Sequence, residues 1–313
     1  MSIIERATRR LEELTRAGVE VPWAAAGRGQ TEAPKTDLGA SMPVTAARGV
    51  GDSTVRSEKD VPEPFRPPAP PRAPAVVMLD QERLADAGYL VPSQTRSPLA
   101  EEFRQLKRPL LKNALAEDAS ARRLGLIMVT SALPGEGKTT CSINLAMSMS
   151  TELDVSVLLV DADVLRPDVP DALGFEAARG LLDLLASPGM EVSELVLKTS
   201  IPKLSILPAG KPHQLSTELL ASEAMESLLD VLRHRYLDHV LIFDAPPLLV
   251  TNEARVLASR MGQVIMVVDA SKTPPAAVSE AFALVEQCPV VMSLLNKAPA
   301  HVAAMGYGYY HYG

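Results

Sequence analysis

The chain has 313 residues, 47% hydrophobic and 22% charged, a composition that allows a substantial buried core. Its 31 Lys and Arg against 38 Asp and Glu give a formal net charge of −7, which argues against a protein that coats itself with nucleic acid. Two cysteines, Cys141 and Cys288, are too few for a disulfide framework, so we expect a reducing, cytoplasmic compartment.

The sequence also argues against a membrane span. It contains no run of about 18 apolar residues, the length that a spanning helix needs. Its first residues lack the apolar core of a signal peptide, so we expect no export. Any membrane association is therefore expected to come through a partner.

The first 96 residues differ in composition from the rest. Residues 1–18 carry apolar side chains at helical spacing, which predicts a short amphipathic helix. This helix is either a solvated terminal element or a docking segment for a partner or a membrane surface. Residues 19–96 are rich in Pro and Ala and predict a disordered, partly extended linker, with one short helix near 80–88.

A compact domain is predicted over residues 97–306. Ser97 followed by Pro98 predicts the start of a helix, because Ser is a good N-cap and Pro suits the first helical position. After it, continuously apolar runs alternate with helical segments. The predicted strands are 124–130, 155–161, 204–208, 239–244, 263–269 and 290–296. Strands of this kind are buried on both faces and connected by helices, so the predicted fold class is α/β, with a doubly wound, mainly parallel sheet.

The segment SALPGEGKTT, residues 131–140, has the pattern of a phosphate-binding loop between a strand and a helix. Gly135 and Gly137 let backbone N–H groups approach phosphate oxygens. Lys138 can reach the β and γ phosphates, and the Thr139 hydroxyl can bind Mg²⁺. Ala132 stands where the usual pattern has its first glycine. The alternative is a turn that only resembles the loop, and the strand-to-helix context disfavours it.

Three aspartates follow apolar runs that are predicted to be strands. Asp161 and Asp163 end one run, and Asp244 ends another. A single Asp at a strand end is commonly a turn former or a cap. Three of them after a phosphate loop predict a site, because ligands of parallel sheets bind at the carboxyl ends of the strands. Their carboxylates can bind Mg²⁺ or accept a proton from an attacking hydroxyl.

The last seven residues, 307–313, contain four of the six tyrosines of the chain. These are Tyr307, Tyr309, Tyr310 and Tyr312. A terminal Gly/Tyr run of this kind is expected to be accessible to the active site of another molecule. The alternative is an adhesive low-complexity tail.

Together, the motifs SALPGEGKTT, LLVDADVLRPD and LIFDAPP and the tyrosine-rich tail resemble the bacterial tyrosine kinases of capsule and exopolysaccharide synthesis and export. SPLAEEFRQLK, residues 97–107, is similar to the family's E-x-x-R-x-x-R oligomerisation pattern. Glu101 and Arg104 match it, and Lys107 stands in place of the second Arg. The N-terminal segments resemble the exosortase-associated autokinase branch of this family.

The resemblance implies an ATP-dependent protein-tyrosine autokinase that phosphorylates its own C-terminal tyrosines in trans and so regulates exopolysaccharide polymerisation and export. It implies that Asp161 accepts the tyrosine proton and that Asn296 recognises the adenine. Thr139, Asp163 and Asp244 would hold Mg²⁺. The implied nucleotide-binding residues are Pro134, Gly135, Glu136, Gly137, Lys138, Thr139, Thr140 and Asn296, and the implied catalytic residues are Lys138, Asp161, Asp163 and Asp244.

The resemblance also implies partners. These are a transmembrane chain-length-determinant protein as activator, further copies of the chain in a ring-like homo-oligomer, and a tyrosine phosphatase. Glu101, Arg104 and Lys107 would contribute to the contact between copies. The chain would then be cytoplasmic and peripheral to the inner membrane through its partner, with no nucleic acid as ligand.

Two other functions fit parts of the sequence. A partitioning or positioning ATPase shares the fold and the loop, but it usually carries a lysine five residues before the loop lysine, where this chain has Leu133. A nucleotide-gated scaffold without kinase activity would need no catalytic carboxylate. Replacing Asp161 with Asn should leave such a scaffold unchanged.

Overall fold

The computed structural model describes residues 76–94, 96–116, 121–187 and 189–298. All of them belong to the second of the two units into which the chain divides, which begins at Pro67. The predicted helix at 1–18, most of the predicted linker and the tyrosine-rich tail at 307–313 lie outside the described residues. No helix in the described ranges combines the length and the apolar character required to cross a membrane.

Strands and helices alternate along most of the described chain. They are β1 (Val76–Val77), α1 (Gln81–Asp86), α2 (Pro98–Ala114), α3 (Ala121–Leu124), β2 (Leu126–Ser131), α4 (Lys138–Ser150), β3 (Ser156–Asp161), α5 (Val169–Leu173), α6 (Leu181–Ala186), α7 (Val192–Leu195), β4 (Leu197–Thr199), β5 (Leu204–Leu207), α8 (Ser216–Ala221), α9 (Glu223–Arg235), β6 (His239–Asp244), α10 (Asn252–Arg260), β7 (Gln263–Asp269), α11 (Pro275–Ala283) and β8 (Val290–Asn296).

The strands of the described region form one sheet in the order β1-β4-β5-β3-β6-β2-β7-β8. Neighbouring strands run parallel except β4 and β5, which are antiparallel. Successive side chains of a strand enter opposite cores: Met128 and Phe243 belong to one apolar cluster, Ile127 and Ile242 to the other. Because both faces are covered, β2, β6 and β7 are apolar almost throughout. The predicted doubly wound α/β fold is confirmed.

The sequence predicts one helix over about 217–235, and the structure divides it in two at Ser222. Ser222 has an extended backbone, with ψ of 165°. The Arg260 guanidinium donates hydrogen bonds of 2.9–3.1 Å to the carbonyl oxygens of residues 220–222. These carbonyl groups are thus satisfied by a side chain from α10, which allows α8 to end where a continuous helix was predicted.

The domain extends further toward the N-terminus than predicted, which corrects the assignment of residues 76–96 to the linker. Strand β1 pairs with β4, and Leu79, Leu84 and Leu90 are buried. The Leu90 N–H donates to Asn144 Oδ1 at 2.8 Å, which attaches this segment to α4. Helix α1 lies within the range predicted for a short helix. The segment is too short for a periodic pattern, and the Pro-rich residues before it obscure its apolar character.

Candidate active site

The phosphate loop and the three predicted aspartates come together at the carboxyl ends of three adjacent strands, β3, β6 and β2. In the sheet register, Asp161 is paired with Asp244, and Asp244 is paired with Val129. The phosphate loop leaves β2 after Ser131 and enters α4 at Lys138. The loop therefore begins beside the two aspartates, as the parallel sheet predicts.

The loop requires glycine at two positions. Gly135 has φ of +79° and Gly137 φ of +96°, a region that other residues rarely adopt. A Cβ atom on Gly137 would lie 2.2 Å from the amide nitrogen of Asn296. That amide donates to the Glu136 carbonyl oxygen at 2.9 Å. Asn296, at the end of β8, is thus brought to the loop, where it contacts the loop backbone.

Glu136 holds the loop against the end of β7. Its carboxylate accepts the N–H of Leu133 at 2.6 Å and the N–H of Asp269 at 3.2 Å. It also accepts the Thr273 hydroxyl. The side chain is 2% exposed. The family resemblance places Glu136 among the nucleotide-binding residues, but its side chain binds the protein itself, and no sequence pattern predicts its partners at and after β7.

Lys297 is a second residue at the loop that sequence reasoning did not select. Its ammonium donates to the Gly135 carbonyl oxygen at 2.5 Å and lies 3.2 Å from Asp269 Oδ2. Hydrogen bonding from Ser271, with a smaller contribution from Lys297, lowers the pKa of Asp269 to about 2. The position of Lys297 directly after Asn296, at a strand end, was the available signal.

The floor of the site is charged. The Lys138 ammonium lies 2.7 Å from Asp163 Oδ2, and its side chain is largely buried. Burial alone would lower the pKa of Lys138, but the negative charges of Asp244 and Asp163 outweigh it and raise the pKa. Lys138 is therefore held as a cation at the start of α4, where a phosphate group would contact it.

Asp161 and Asp244 are fully buried and incompletely hydrogen-bonded. Asp161 Oδ2 accepts the Val169 N–H at 3.3 Å, and Asp244 Oδ1 accepts the Ser142 hydroxyl at 3.0 Å. The other oxygen of each carboxyl group is buried without a hydrogen-bond partner. Burial raises the pKa of Asp244 to about 6 against the opposing charge of Lys138. Burial, and then the charge of Asp244, raise the pKa of Asp161 well above its usual value.

The unpartnered oxygen of Asp244 fits a divalent cation. Asp244 is paired in the sheet register with Asp161 on the adjacent strand, and Asp163 follows two residues after Asp161. Mg²⁺ in phosphate-binding sites is typically held by one or two carboxylates together with phosphate oxygens and water. The donor set at the strand ends matches this pattern.

A pocket of about 270 Å³ opens above Lys138. Its lining consists of Pro134, Gly135, Lys138, Asp163, Leu165, Arg166, Asp168, Pro246, Pro247, Val250 and Thr251. Asp163 lines this pocket, whereas Asp161 is not part of its lining and has no exposed surface. A larger cavity of about 400 Å³, lined by residues from 167–178 and 208–210, contains none of the predicted site residues. The chemistry therefore points to the smaller pocket.

Lys107 differs from its predicted place at a contact between copies. Its ammonium donates to the Ser148 carbonyl oxygen at 2.6 Å and to the Thr151 hydroxyl at 3.2 Å. It also pairs with Glu152 at 2.7 Å, and the residue is 4% exposed. Lys107 therefore faces α4, and its ammonium group is bound by residues of its own chain. Glu101 and Arg104 form an ion pair with each other on a more exposed part of α2.

Comparison with known proteins agrees with the fold. The family model described as an AAA domain matches residues 125–289. The tyrosine-protein kinase YwqD of Bacillus subtilis is 30% identical over 182 residues, which cover 58% of this chain and 73% of that protein. The putative tyrosine-protein kinase EpsB of Ralstonia nicotianae is 37% identical over 171 residues, 54% of this chain. The aligned part is 21% of EpsB, so the chain spans about a fifth of that relative.

Solved structures give the same result. The VpsO kinase domain is 31% identical with a TM-score of 0.52, covering 65% of this chain and 100% of that one. The chimerical protein CapA2B2 has a TM-score of 0.57 at 23% identity, covering 72% of this chain and 95% of that one. At that identity the second likeness shows the fold alone.

Proposed function

The chain belongs to the family of bacterial tyrosine-protein kinases, and on that premise we propose that it is an ATP-dependent protein-tyrosine autokinase. Its substrates are the tail tyrosines 307, 309, 310 and 312 of a neighbouring copy. Their phosphorylation regulates exopolysaccharide polymerisation and export. The observation that carries the proposal is the pocket beside the phosphate loop, where a buried lysine and a buried carboxylate meet.

Nucleotide binding would rearrange the charged floor. Lys138 is paired with Asp163 at 2.7 Å, where a phosphate oxygen is expected to contact the ammonium. Bound ATP would take the place of Asp163 at Lys138 and leave the Asp163 carboxylate available at the pocket. Mg²⁺, held by Thr139, Asp244 and Asp163, would neutralise charge on the phosphates.

In the transfer step, the tyrosyl oxygen forms a bond to the γ-phosphorus and the bond from that phosphorus to the β–γ bridging oxygen breaks. The bridging oxygen keeps the electron pair and leaves with ADP. The phenolic proton goes to a carboxylate, for which we propose Asp161. One oxygen of its carboxyl group has no hydrogen-bond partner in the protein, so that oxygen is open to a proton. Because Asp161 is buried, the transfer requires access past Asp163, which is the rival acceptor.

The proposed partners follow the family resemblance. A transmembrane chain-length-determinant protein activates the kinase and keeps it at the inner membrane, a tyrosine phosphatase reverses the reaction, and copies of the chain assemble in a ring. Within the motif for self-association, Glu101 and Arg104 are retained as contact residues and Lys107 is not. Membership of the exosortase-associated branch stays a prediction.

The alternative of a partitioning ATPase is not supported at position 133, where such proteins usually carry a second lysine. Leu133, which stands there, packs against the apolar core, and its N–H binds Glu136. An apolar side chain in this position cannot supply the second lysine charge.

The test is incubation of the purified full chain with ATP and Mg²⁺, with and without the cytoplasmic segment of the partner, followed by intact-mass spectrometry. We expect the wild type to become phosphorylated. We expect no phosphate on Lys138→Met or on a chain ending at Gly306. Lys112→Met, an exposed lysine on α2, is the matched control and should remain phosphorylated. ATP hydrolysis without protein phosphorylation, with the partner segment present, would overturn the proposal in favour of an ATPase switch.

A further inference from the structure

Two exposed apolar side chains flank the mouth of the pocket above Lys138. Leu165 is 53% exposed and Val250 is 58% exposed, and both line the pocket. Leu165 follows β3 and Val250 follows β6, which are adjacent parallel strands. A single exposed leucine is ordinary, but two apolar side chains from separate loops at one pocket are typical of a ligand site.

Both side chains stand on loops that the surrounding structure holds in place. The Arg166 N–H donates to the carbonyl oxygen of Asp163 at 3.1 Å, which closes the turn that carries Leu165. The Val250 N–H donates to the Pro247 carbonyl oxygen at 3.3 Å. The Thr130 hydroxyl from β2 donates to the Pro246 carbonyl oxygen at 2.7 Å. The apolar pair is therefore positioned before any ligand arrives, which reduces the entropy that binding must overcome.

The chemistry of the pocket changes with depth. Its exposed side offers Leu165 and Val250 beside the charged Arg166 and Asp168, while its buried side offers the rings of Pro246 and Pro247, the Lys138 ammonium and the Asp163 carboxylate. A group that satisfies both levels has a flat apolar body and one polar atom at its far end. The phenol side chain of tyrosine has this form, whereas serine and threonine have no body that reaches the apolar mouth.

We infer that Leu165 and Val250 form a clamp for the aromatic ring of the tyrosine that receives the phosphate, with its hydroxyl directed to the floor of the pocket. This inference rests on the proposed function, because it names residues that select tyrosine at that same site. The clamp binds the acceptor side chain and not the nucleotide. Loss of the clamp therefore weakens binding of the acceptor tyrosine and leaves the affinity for the nucleotide unchanged.

The test uses the full chain with its own tail tyrosines 307, 309, 310 and 312 replaced by alanine. The probe is a fluorescent synthetic peptide of residues 299–313, bound in the presence of Mg²⁺ and a non-hydrolysable ATP analogue. Leu165→Ala and Val250→Ala are each expected to weaken peptide binding about tenfold, because each removes most of one wall of the clamp. Leu165→Met, which keeps a large apolar side chain at this position, should bind the peptide about as well as the protein with Leu165 does. Leu153→Ala, an exposed leucine outside the pocket, should have no effect.

Three further readouts identify what the clamp does. A peptide with serine in place of its tyrosines should not bind. The affinity for the analogue, measured without peptide, should change by less than about twofold in the clamp variants. With ATP, phosphate transfer to subsaturating peptide should fall in parallel with peptide binding.

The clamp and the kinase proposal fail in different ways. Three results would each overturn the clamp. The first is peptide binding that is unchanged in both alanine variants, and the second is a loss of affinity for the ATP analogue as large as the loss for the peptide. The third is no peptide binding by the protein that keeps Leu165 and Val250. Peptide binding that depends on Leu165 and Val250, without any phosphate transfer when ATP and the cytoplasmic segment of the partner are present, would support a clamp that binds tyrosine and overturn the kinase activity.

Discussion

The two ends of helix α4 bury charged groups in opposite ways. At its first residue, Lys138 meets a group of carboxylates in which Asp161 and Asp244 each keep one buried oxygen without a hydrogen bond. At its last turn, Lys107 from α2 is bound by a carbonyl oxygen, a hydroxyl and the Glu152 carboxylate. The first end of α4 therefore has buried oxygens without hydrogen bonds, whereas the buried ammonium group at the last turn has hydrogen-bond partners.

This difference separates binding from stability within one helix. Buried polar atoms in folded proteins are nearly always hydrogen-bonded, because an unpaired one costs about 1–3 kcal/mol. The unpaired oxygens at the first end therefore indicate a ligand that completes them. The complete set of contacts at the other end fixes α2 against α4. Substitutions at the two ends should consequently affect different measurements.

The largest effect is expected from Asp161→Asn, which keeps the shape of the side chain and removes its base. Phosphate transfer should fall by about 10²- to 10⁴-fold. The free energy of unfolding should stay the same or rise, because burial penalises the charged form of Asp161 and an amide carries no charge. Transfer is measured by intact mass and stability by denaturant unfolding.

Asp163→Asn is the comparison variant for this prediction. If Asp163→Asn abolishes transfer and Asp161→Asn does not, the proton acceptor is the carboxylate that lines the pocket. If neither variant changes nucleotide-dependent behaviour, the chain is a nucleotide-gated scaffold.

The opposite result is expected at the other end of the helix. Lys107→Met should lower the free energy of unfolding by about 2 kcal/mol, because it leaves the Ser148 carbonyl group and Glu152 without their cation. Transfer per folded molecule should stay within about twofold of the wild type. Lys112→Met, on the exposed side of the same helix, should cost less than about 0.5 kcal/mol.

A different outcome would return Lys107 to its predicted place. If Lys107→Met lowered the mass of the assembled protein in solution and left the unfolding free energy unchanged, Lys107 would act between copies and not within one.

The two ends of α4 also differ in how well the sequence predicts them. The phosphate loop is recognisable because its residues are adjacent in the chain, and Asp161 and Asp244 follow from the strand ends of a parallel sheet. The contacts of Lys107 depend on how α2 packs against α4, which no local pattern encodes.

The same limit applies elsewhere. Strands β6, β7 and β8 match the predicted ranges because long apolar runs are a strong local signal. Strand β1 has two residues and is stabilised by β4, more than 100 positions away. The bonds of Glu136 to residues 269 and 273 are equally remote in sequence.

A smaller effect is expected from the pH dependence of the binding end. Burial raises the pKa of Asp244 to about 6 in the folded protein, so the folded state holds this proton more tightly than the unfolded chain does. The stability contributed in this way is present at low pH and is lost as the pH rises from about 4 through about 6. Relative to Asp244→Asn, the unfolding free energy of the wild type should therefore fall by on the order of 2 kcal/mol between about pH 4.5 and about pH 7.5.

The measurement is denaturant unfolding of both proteins without nucleotide or Mg²⁺. If the wild type instead gained stability relative to Asp244→Asn as the pH rose, the attraction between Asp244 and Lys138 would outweigh the cost of burying the carboxylate.

The smallest effect on stability is expected from Glu101→Ala, on the same helix as Lys107 but in an exposed setting. Glu101 pairs with Arg104 three residues later, and both side chains are about two-fifths exposed, at 43% and 38%. Exposed pairs of this kind contribute about 0–1 kcal/mol, since water screens their charges. Glu101→Ala should therefore change the unfolding free energy by less than about 0.5 kcal/mol. If Glu101 takes part in the proposed ring, the same variant should lower the mass measured by light scattering. Unchanged mass together with unchanged stability would remove Glu101 from the proposed contact, while a large loss of stability would show that this pair supports the fold as Lys107 does.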